Sequence, residues 1–334
     1  MKRTKSGLGG FGGLGWLGLI VLAVFIFPAA ARAQTAPVET VKITYASRTI
    51  ESILLFIAQD KGFFKEEGLE VQPILTRGTT AIAAALTGDV EGIHIMGSAI
   101  RAIQRGLPLK VVSVNLKRPL FWLVTRPELK SFDDLKKKTM GVVTFGGTQQ
   151  LAGYYMLRRG GLDPEKEITT TVVGDIPTQL QALMAGSIQV GVFSPPTVIV
   201  ARDKYKMHLL ATTSDQYYAL QAGLTASEKV LKEKRPLVRR TLRAMAKANR
   251  FFLDNEKGAA EIIAKTFQVD LPTATGTYRL TRPTFSRDGT ATENEMEEHL
   301  KVDAQVLGLK EPWAPAKVFD FALQREVNKE LGVH

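Results

Sequence analysis

Residues 58–71 read AQDKGFFKEEGLEV, and two glycines divide this stretch into a helix and a strand. The helical character begins near residue 50 and is interrupted at Gly62. Gly68 is expected to end the helix, because glycine readily adopts the left-handed conformation found at many helix ends. Residues 69–75 then form a strand, and Pro73, which lacks an N–H donor, places it at a sheet edge or a bulge. The stretch therefore predicts one helix–strand unit of an α/β protein.

The same alternation continues on both sides of this unit. Short apolar strands alternate with helices from residue 41 to residue 211, which predicts an α/β fold with parallel sheets. The segments ALTGDV (residues 85–90) and LMAGSI (residues 183–188) resemble each other, and each lies between a helix and a strand. They predict two lobes of similar architecture. After residue 214 the pattern becomes mainly helical.

The composition excludes several classes of protein. The chain has 334 residues, of which 45% are hydrophobic and 23% are charged, values that exclude a disordered or collagen-like chain. The length is enough for about two domains at ~150 residues each. Cysteine is absent, which excludes disulfides, thiolate metal sites, cysteine nucleophiles and a lipid-modified cysteine near the N-terminus.

The first 33 residues have the pattern of a secretory signal peptide. Basic residues at Lys2, Arg3 and Lys5 precede a Gly-rich apolar run, and the motif Ala31-Arg32-Ala33 ends it. We expect cleavage after Ala33 and a periplasmic mature protein. The alternative is an uncleaved membrane anchor, because an apolar run of about 20 residues is long enough to span a bilayer.

The positive net charge has two sources. The chain carries a formal charge of +11, but the signal segment holds four basic residues and no acid, which leaves +7 for the rest. Many of these charges lie on the helix expected at residues 236–253. That basic face suits either a polyanion or solvent, and solvent is favoured because the face has no interleaved aromatic residues and no nucleic-acid motif. No nucleic-acid partner is expected.

Candidate ligand-binding residues lie where strands end and helices begin. Helix N-termini present unpaired N–H groups and a partial positive charge, glycine allows a close approach of the backbone, and hydroxyl groups add donors. In parallel α/β sheets these turns converge on one cleft. The candidate turn residues are Ser47, Arg48, Thr49, Gly78, Thr79, Thr80, Gly97, Ser98, Gly146, Gly147, Thr148 and Ser194.

Three further side chains have open roles. Arg48 pairs with a carboxylate or sulfonate or lies at the surface, and Trp122 forms a pocket wall or packs in the core. Asp175 follows a strand and is suited to bind an amine. His94 and His208 lie in expected strands and are interpreted as structural. The sequence contains no phosphate-nucleotide or catalytic motif, so neither a metal, a cofactor nor catalysis is expected.

Several segments resemble a known family. Residues 58–71 match the pattern A-x-x-K-G-F-F-x-x-x-G-L-x-V, and residues 131–136, SFDDLK, match S-x-x-D-L-K. The segments 78–90 and 180–193 resemble two further parts of the same pattern. Together these segments are similar to the periplasmic substrate-binding proteins of ABC importers, in the group that includes nitrate, sulfonate, taurine and thiamine-pyrimidine-precursor binding proteins.

This resemblance implies a type II periplasmic-binding fold, with two α/β lobes joined by two crossovers and a ligand cleft between them. The first lobe is expected at residues 40–116 and is completed by residues 215–334, and the second lobe is expected at 117–214. The implied function is the capture of a small anionic or heterocyclic ligand by a monomer, for delivery to a permease and ATPase complex at the inner membrane. The alternatives are an enzyme related to pyrimidine-precursor synthases, whose Cys-rich stretch is missing here, and a periplasmic ligand-sensing domain.

Overall fold

A computed structural model describes residues 38–94, 96–213 and 217–333, so the expected signal peptide lies outside the described residues. Within these ranges the chain forms ten strands and fourteen α-helices. The strands are β1 (Glu39–Tyr45), β2 (Leu69–Leu75), β3 (Gly92–Ile93), β4 (Leu109–Val111), β5 (Trp122–Thr125), β6 (Thr139–Val142), β7 (Thr169–Val172), β8 (Val190–Phe193), β9 (His208–Thr212) and β10 (Thr225–Ser227). The helices are α1 (Ile53–Asp60), α2 (Phe63–Glu66), α3 (Gly78–Thr87), α4 (Gly97–Gln104), α5 (Thr148–Arg159), α6 (Ile176–Ala185), α7 (Thr197–Asp203), α8 (Glu228–Glu233), α9 (Arg235–Asp254), α10 (Glu256–Phe267), α11 (Leu271–Thr281), α12 (Glu293–Leu307), α13 (Pro315–Val318) and α14 (Ala322–Leu331).

The strands form two five-stranded sheets with the same plan. The order is β2-β1-β3-β10-β4 in the first sheet and β7-β6-β8-β5-β9 in the second. In each sheet the fourth strand is antiparallel to its neighbours, so the expectation of purely parallel sheets is wrong. The reason is the path of the chain, because β5 and β10 each follow a crossover from the other lobe. The matching orders confirm the two similar lobes expected from the repeated segments.

The helix–strand unit at residues 58–71 forms as expected. Gly62, with φ +75°, separates α1 from α2, and Gly68, with φ +68°, turns the chain into β2. Pro73 lies in β2, which is an edge strand. One local expectation is wrong, because the strand β10 lies in a region expected to be mainly helical. The SFDDLK segment contains a 3-10 turn, Asp133–Leu135.

The lobes have separate hydrophobic cores. One face of the first sheet packs on α1, α9, α10 and α14 around Ile43 and Phe252, and its other face packs on α3, α4, α12 and α13 around Ile93 and Leu300. The second sheet has its own core, which includes Val192. The C-terminal helices thus cover the first sheet. The expected boundary at 116–117 falls between β4 and β5, the one at 214–215 lies outside the described residues, and both stay predictions.

The basic face of α9 is held by carboxylates of the same chain. Arg243 and Lys247 both contact the buried carboxylate of Glu67 at 2.8 Å, and Arg239 and Arg243 contact Glu330 on α14. The face is therefore not free for a polyanion. It is also not simply exposed to solvent, which is the arrangement that the sequence favoured. Burial raises the pKa of Glu67, but the hydrogen bonds from Arg243 and Lys247 outweigh it and hold that pKa below its ordinary value.

None of the helices in ranges 38–94, 96–213 and 217–333 has both the length and the apolar character needed to cross a bilayer.

The two crossovers are the segments between β4 and β5 and between β9 and β10, and they are hydrogen-bonded to each other. Leu116 and Ala222 form an antiparallel bridge, and the amide of Val112 donates to the carbonyl of Leu224 at 2.8 Å. Gly223 packs directly on the other crossover. A Cβ at this position would overlap the carbonyl oxygen of Ser113 and lie 2.8 Å from its carbonyl carbon. The contact between the crossovers therefore requires glycine at position 223.

We expect Gly223→Ala to destabilise the protein by about 1–3 kcal/mol or more, because the methyl group overlaps backbone that has no rotamer to change. Urea denaturation measures this loss. Gly276→Ala on α11 is the matched control, since its nearest atom is an Ile199 methyl at 3.7 Å. The control is expected to be neutral or stabilising by up to about 1 kcal/mol, as alanine is the better helix former. Equal stability of the two variants would contradict the assigned contact.

We expect Glu67→Gln to cost about 1–2 kcal/mol at pH 7, because the buried partner of two cations loses its charge. The pKa of Glu67 is lowered in the folded state, so this stabilisation is present above pH 4.5 and is lost as the pH falls through the lowered pKa. Urea midpoints of wild type and variant measured across this range give the profile. Glu330→Gln, at the exposed end of the same network, should cost less than about 0.5 kcal/mol. If the difference in urea midpoint between wild type and Glu67→Gln did not change with pH, it would contradict an ion-pair origin of the stabilisation.

Candidate functional site

A cavity of about 80 Å³ lies between the two lobes. Its walls come from the turns after β1, β3 and β6, from the N-termini of helices, and from both crossovers. The first lobe contributes Tyr45, Ala46, Ser47, Thr49, Glu51, Ser52, Gly78, His94, Met96, Gly97 and Ser98. The second lobe contributes Val143, Thr144, Gly147, Thr148, Gln149 and Ile176, and the crossovers contribute Phe121 and Gln221.

Half of the residues expected from the sequence line this cavity. They share a position at the start of a helix or just before it, and they are Ser47, Thr49, Gly78, Gly97, Ser98, Gly147 and Thr148. The structure therefore brings four of the five predicted turns together, as the convergence of strand ends in α/β sheets requires.

The other predicted residues lie elsewhere. Thr79 and Gly146 line a neighbouring cavity of about 320 Å³, and Thr80 is exposed on α3. Trp122, in β5, packs against the core of the second lobe. Ser194 is completely buried behind the end of β8.

Arg48 and Asp175 form a bridge between the lobes. The guanidinium Nε of Arg48 lies 2.8 Å from the Asp175 carboxylate, which also caps α6 by accepting from Thr178. Burial raises the pKa of Asp175, but the hydrogen bonds from Arg48 and Thr178 hold it below its ordinary value. Neither side chain lines the cavity, so the structure uses Asp175 to cap a helix and join the lobes.

Further hydrogen bonds hold the lobes together around the cavity. The amide of Ile176 donates to the hydroxyl of Ser47 at 3.0 Å, and the amide of Ile50 donates to the carbonyl of Pro195 at 3.1 Å. Arg101 donates from Nε to the carbonyl of Gly146 at 2.9 Å. The cleft is closed in this structure.

Two glycines of the first lobe allow this close approach. A Cβ at Gly97 would overlap the hydroxyl of Thr148, and a Cβ at Gly78 would lie 2.5 Å from the hydroxyl of Thr144. Both pairs join opposite lobes and line the cavity. Glycine at these turns thus serves the closure of the cleft as well as the start of a helix.

His94 is a wall residue that sequence reasoning assigned to the structural core. It follows β3 directly, is 4% exposed, and lines the cavity. Neither of its ring nitrogens meets a hydrogen-bond partner in the described part of the chain. Burial lowers the pKa of His94 to about 4, so the imidazole is neutral at pH 7. An unpartnered buried imidazole is costly, and a bound ligand would relieve that cost.

Glu51 and Gln221 are the other wall residues that the sequence did not single out. The amide Nε2 of Gln221 donates to Glu51 at 3.4 Å, and the hydroxyl of Thr49 donates to the other carboxylate oxygen. Burial raises the pKa of Glu51 in spite of these hydrogen bonds. The only sequence signal for Glu51 is its place in the turn that begins at Ser47. Gln221 has none, because it lies on a crossover without a periodic pattern.

The described residues contain no group of three or more His, Asp or Glu side chains placed to hold a metal ion. The polar groups of the cavity are hydroxyls, amides, one imidazole and one carboxyl, and its apolar wall includes Tyr45, Met96 and Phe121. Tyr45 is held edge to face against Phe56, with ring centroids 5.5 Å apart. Such a mixture suits a small polar molecule with an apolar face.

Comparison with known proteins gives the family. The model of the "NMT1/THI5 like" family matches residues 49–259. A binding protein of Bacillus subtilis (strain 168), YtlA, is 27% identical over 197 residues, which is 57% of this chain and 59% of that protein. The match therefore spans less than two thirds of the relative's length.

Two solved structures show the fold. A protein from Bordetella bronchiseptica RB50 superposes with a TM-score of 0.75 at 20% identity, over 88% of this chain and 98% of that one. The periplasmic nitrate-binding protein NrtA from Synechocystis PCC 6803 superposes with a TM-score of 0.73 at 15% identity, over 89% of this chain and 90% of that one. With the two matching sheets and the cleft between them, these results establish that the chain belongs to the NMT1/THI5-like family and has the type II periplasmic-binding fold.

Proposed function

We propose that this protein is an extracytoplasmic solute-binding protein of an ABC importer. It captures a small ligand between its lobes and delivers it to a membrane permease and its ATPase. The observation that carries the proposal is the cavity that takes its walls from both lobes. A ligand bound there contacts both lobes at once, and therefore stabilises the closed state relative to the open one.

The size and lining of the cavity support a small solute. About 80 Å³ has room for a molecule of a few heavy atoms, either an anion or a small heterocycle. The N-termini of α4 and α5 offer backbone N–H donors to an acceptor or anionic group of that molecule. The relatives support binding as well, since one is named a binding protein and one a periplasmic nitrate-binding protein.

The proposal includes binding without chemical turnover. A hydroxyl nucleophile requires an adjacent base, and the nitrogens of His94 bond no hydroxyl within the described residues. The chain also has no cysteine. A bound ligand should therefore be recovered unchanged in mass after incubation.

The proposal also includes a periplasmic monomer, free after cleavage of residues 1–33. The pattern of the N-terminal segment and the missing lipid-attachment cysteine support this location.

We expect native mass spectrometry of freshly purified protein to reveal a co-purified ligand. After removal and return of that ligand, small-angle scattering should show a more compact protein when the ligand is bound. If no member of a broad panel of anions and heterocycles compacts the protein or raises its Tm, the proposed function is wrong.

We expect Thr148→Ala to weaken the binding of that ligand by roughly 5- to 10-fold, the loss of about one hydrogen bond. Thr148 lines the cavity and is 9% exposed, whereas Thr80 is exposed on α3 outside it. Thr80→Ala is therefore the matched control and should bind like wild type in calorimetry. Equal affinities of the two variants for the ligand would show that the binding site is not at Thr148.

We expect Gly97→Ala to prevent closure while both lobes stay folded, because the new methyl group overlaps the Thr148 hydroxyl of the other lobe. Scattering should then show no compaction on addition of the ligand, with an unchanged circular dichroism spectrum. The double variant Gly97→Ala/Thr148→Ala should regain part of the compaction. Normal closure of the single variant would contradict the contact.

A further inference from the structure

The cavity contains hydrogen-bond acceptors with unused capacity. Gln221 gives its Nε2 to Glu51, and its Oε1 has no partner among the described residues. Glu51 accepts a hydrogen bond from Thr49 at one carboxyl oxygen and from Gln221 at the other, and a carboxyl oxygen can accept a second hydrogen bond. His94 adds a neutral imidazole to the same cavity. Unused acceptors that line one cavity call for a ligand that donates hydrogen bonds.

A different part of the wall offers donors. The N-termini of α4 and α5 reach the cavity at Gly97 and Thr148, and α5 has no side-chain cap on its first N–H groups. These groups suit an acceptor or a negative charge on the ligand. The cavity therefore has one region of donors and one region of acceptors, and a ligand that satisfies both must itself have two kinds of polar group.

The charges of the wall agree with this division. Glu51 is the one acidic residue of the lining, and no Lys or Arg occurs among the described residues that line it. Arg101 lies close to Gly97 but does not line the cavity. Its Nη1 donates to the Asp303 carboxylate at 2.6 Å and its Nε to the Gly146 carbonyl at 2.9 Å, whereas its Nη2 has no partner among the described residues. An ion made only of acceptors, such as a bare nitrate or alkylsulfonate, would leave Oε1 of Gln221 without a donor.

We propose that the ligand carries an N–H donor, as an amine, amidine or ring amino group, in addition to its acceptor or anionic group, and that Glu51 and Gln221 bind this donor. This inference rests on the proposed function and adds the chemistry that selects the ligand. Glu51 acts as the specificity residue. The helix N-termini bind the acceptor or anionic group of the ligand. An analogue without the amino group keeps this part.

The test compares molecules that differ only in the donor. The pairs are taurine and ethanesulfonate, β-alanine and propionate, and 4-aminopyrimidine and pyrimidine, each titrated by calorimetry into the full mature protein at constant ionic strength. In at least one pair the aminated member should bind 10-fold or more tightly than its partner. Glu51→Gln, which keeps the shape of the side chain, should reduce that ratio to below about 3-fold, since an acceptor oxygen is replaced by an amide NH2 that cannot accept a hydrogen bond.

Glu66→Gln is the matched control, because Glu66 is exposed on α2 and pairs with Lys247 outside the cavity. It should keep the wild-type ratio, and all three proteins should have similar thermal unfolding curves. Where Glu51→Gln loses stability, Gln221→Leu provides a second variant that removes the free acceptor and should also reduce the ratio.

Three results would overturn the inference. They are equal or tighter binding of the deaminated members, an unchanged ratio in Glu51→Gln, and binding by no member of any pair. If other anions or heterocycles still compact the protein in scattering, the inference fails and the proposed function stands. If no compound compacts the protein, both fail.

Discussion

The contact between the two crossovers is the constraint on which the rest of the structure depends. Each crossover delivers the antiparallel strand of the sheet that it enters, β5 in the second lobe and β10 in the first. The backbones of the crossovers hydrogen-bond to each other, and Gly223 packs on Ser113 without space for a side chain. The crossovers also carry Phe121 and Gln221 into the cavity. The two segments that connect the lobes therefore also form part of the cavity wall.

Polar and apolar contacts hold the cleft closed. Arg48 is about half exposed, so its ion pair with Asp175 contributes little in water. The others include single hydrogen bonds, such as the one from Ile176 to Ser47, and the packing of α7 on α11, where Ile199 lies next to Gly276. In the function that we propose, a ligand that touches both lobes adds to these contacts and shifts the population toward the closed form.

The fold could be predicted because its signals are local. Gly62, Gly68 and Pro73 specify a helix stop and an edge strand through backbone chemistry alone. The position of β10 could not be predicted, since three residues carry no periodicity and pair only after the crossover forms. The site was predictable in part for the same reason. Helix-start turns are visible in sequence, but His94, which follows β3, and the crossover residue Gln221 reach the cavity through tertiary structure.

Asp175 has a capping role that its sequence pattern indicates. The sequence Asp175-Ile-Pro-Thr178 recurs as Asp270-Leu-Pro-Thr273, and in both places the aspartate accepts the amide of the threonine and caps a helix. The repetition of the pattern at a second helix marks it as a cap, whereas a ligand contact would have no reason to occur twice.

The net charge of the chain gives no information about the ligand, because the charges that produce it are used elsewhere. The basic side chains of α9 are paired with Glu39, Glu66, Glu67 and Glu330, and they tie the N-terminal strand and the last helix to the first lobe. Within the cavity the balance is opposite, with Glu51 as the acidic residue and a neutral His94. Partial charges of helix N-termini add positive potential there. The charge balance inside the cavity therefore cannot be inferred from the net charge of the chain.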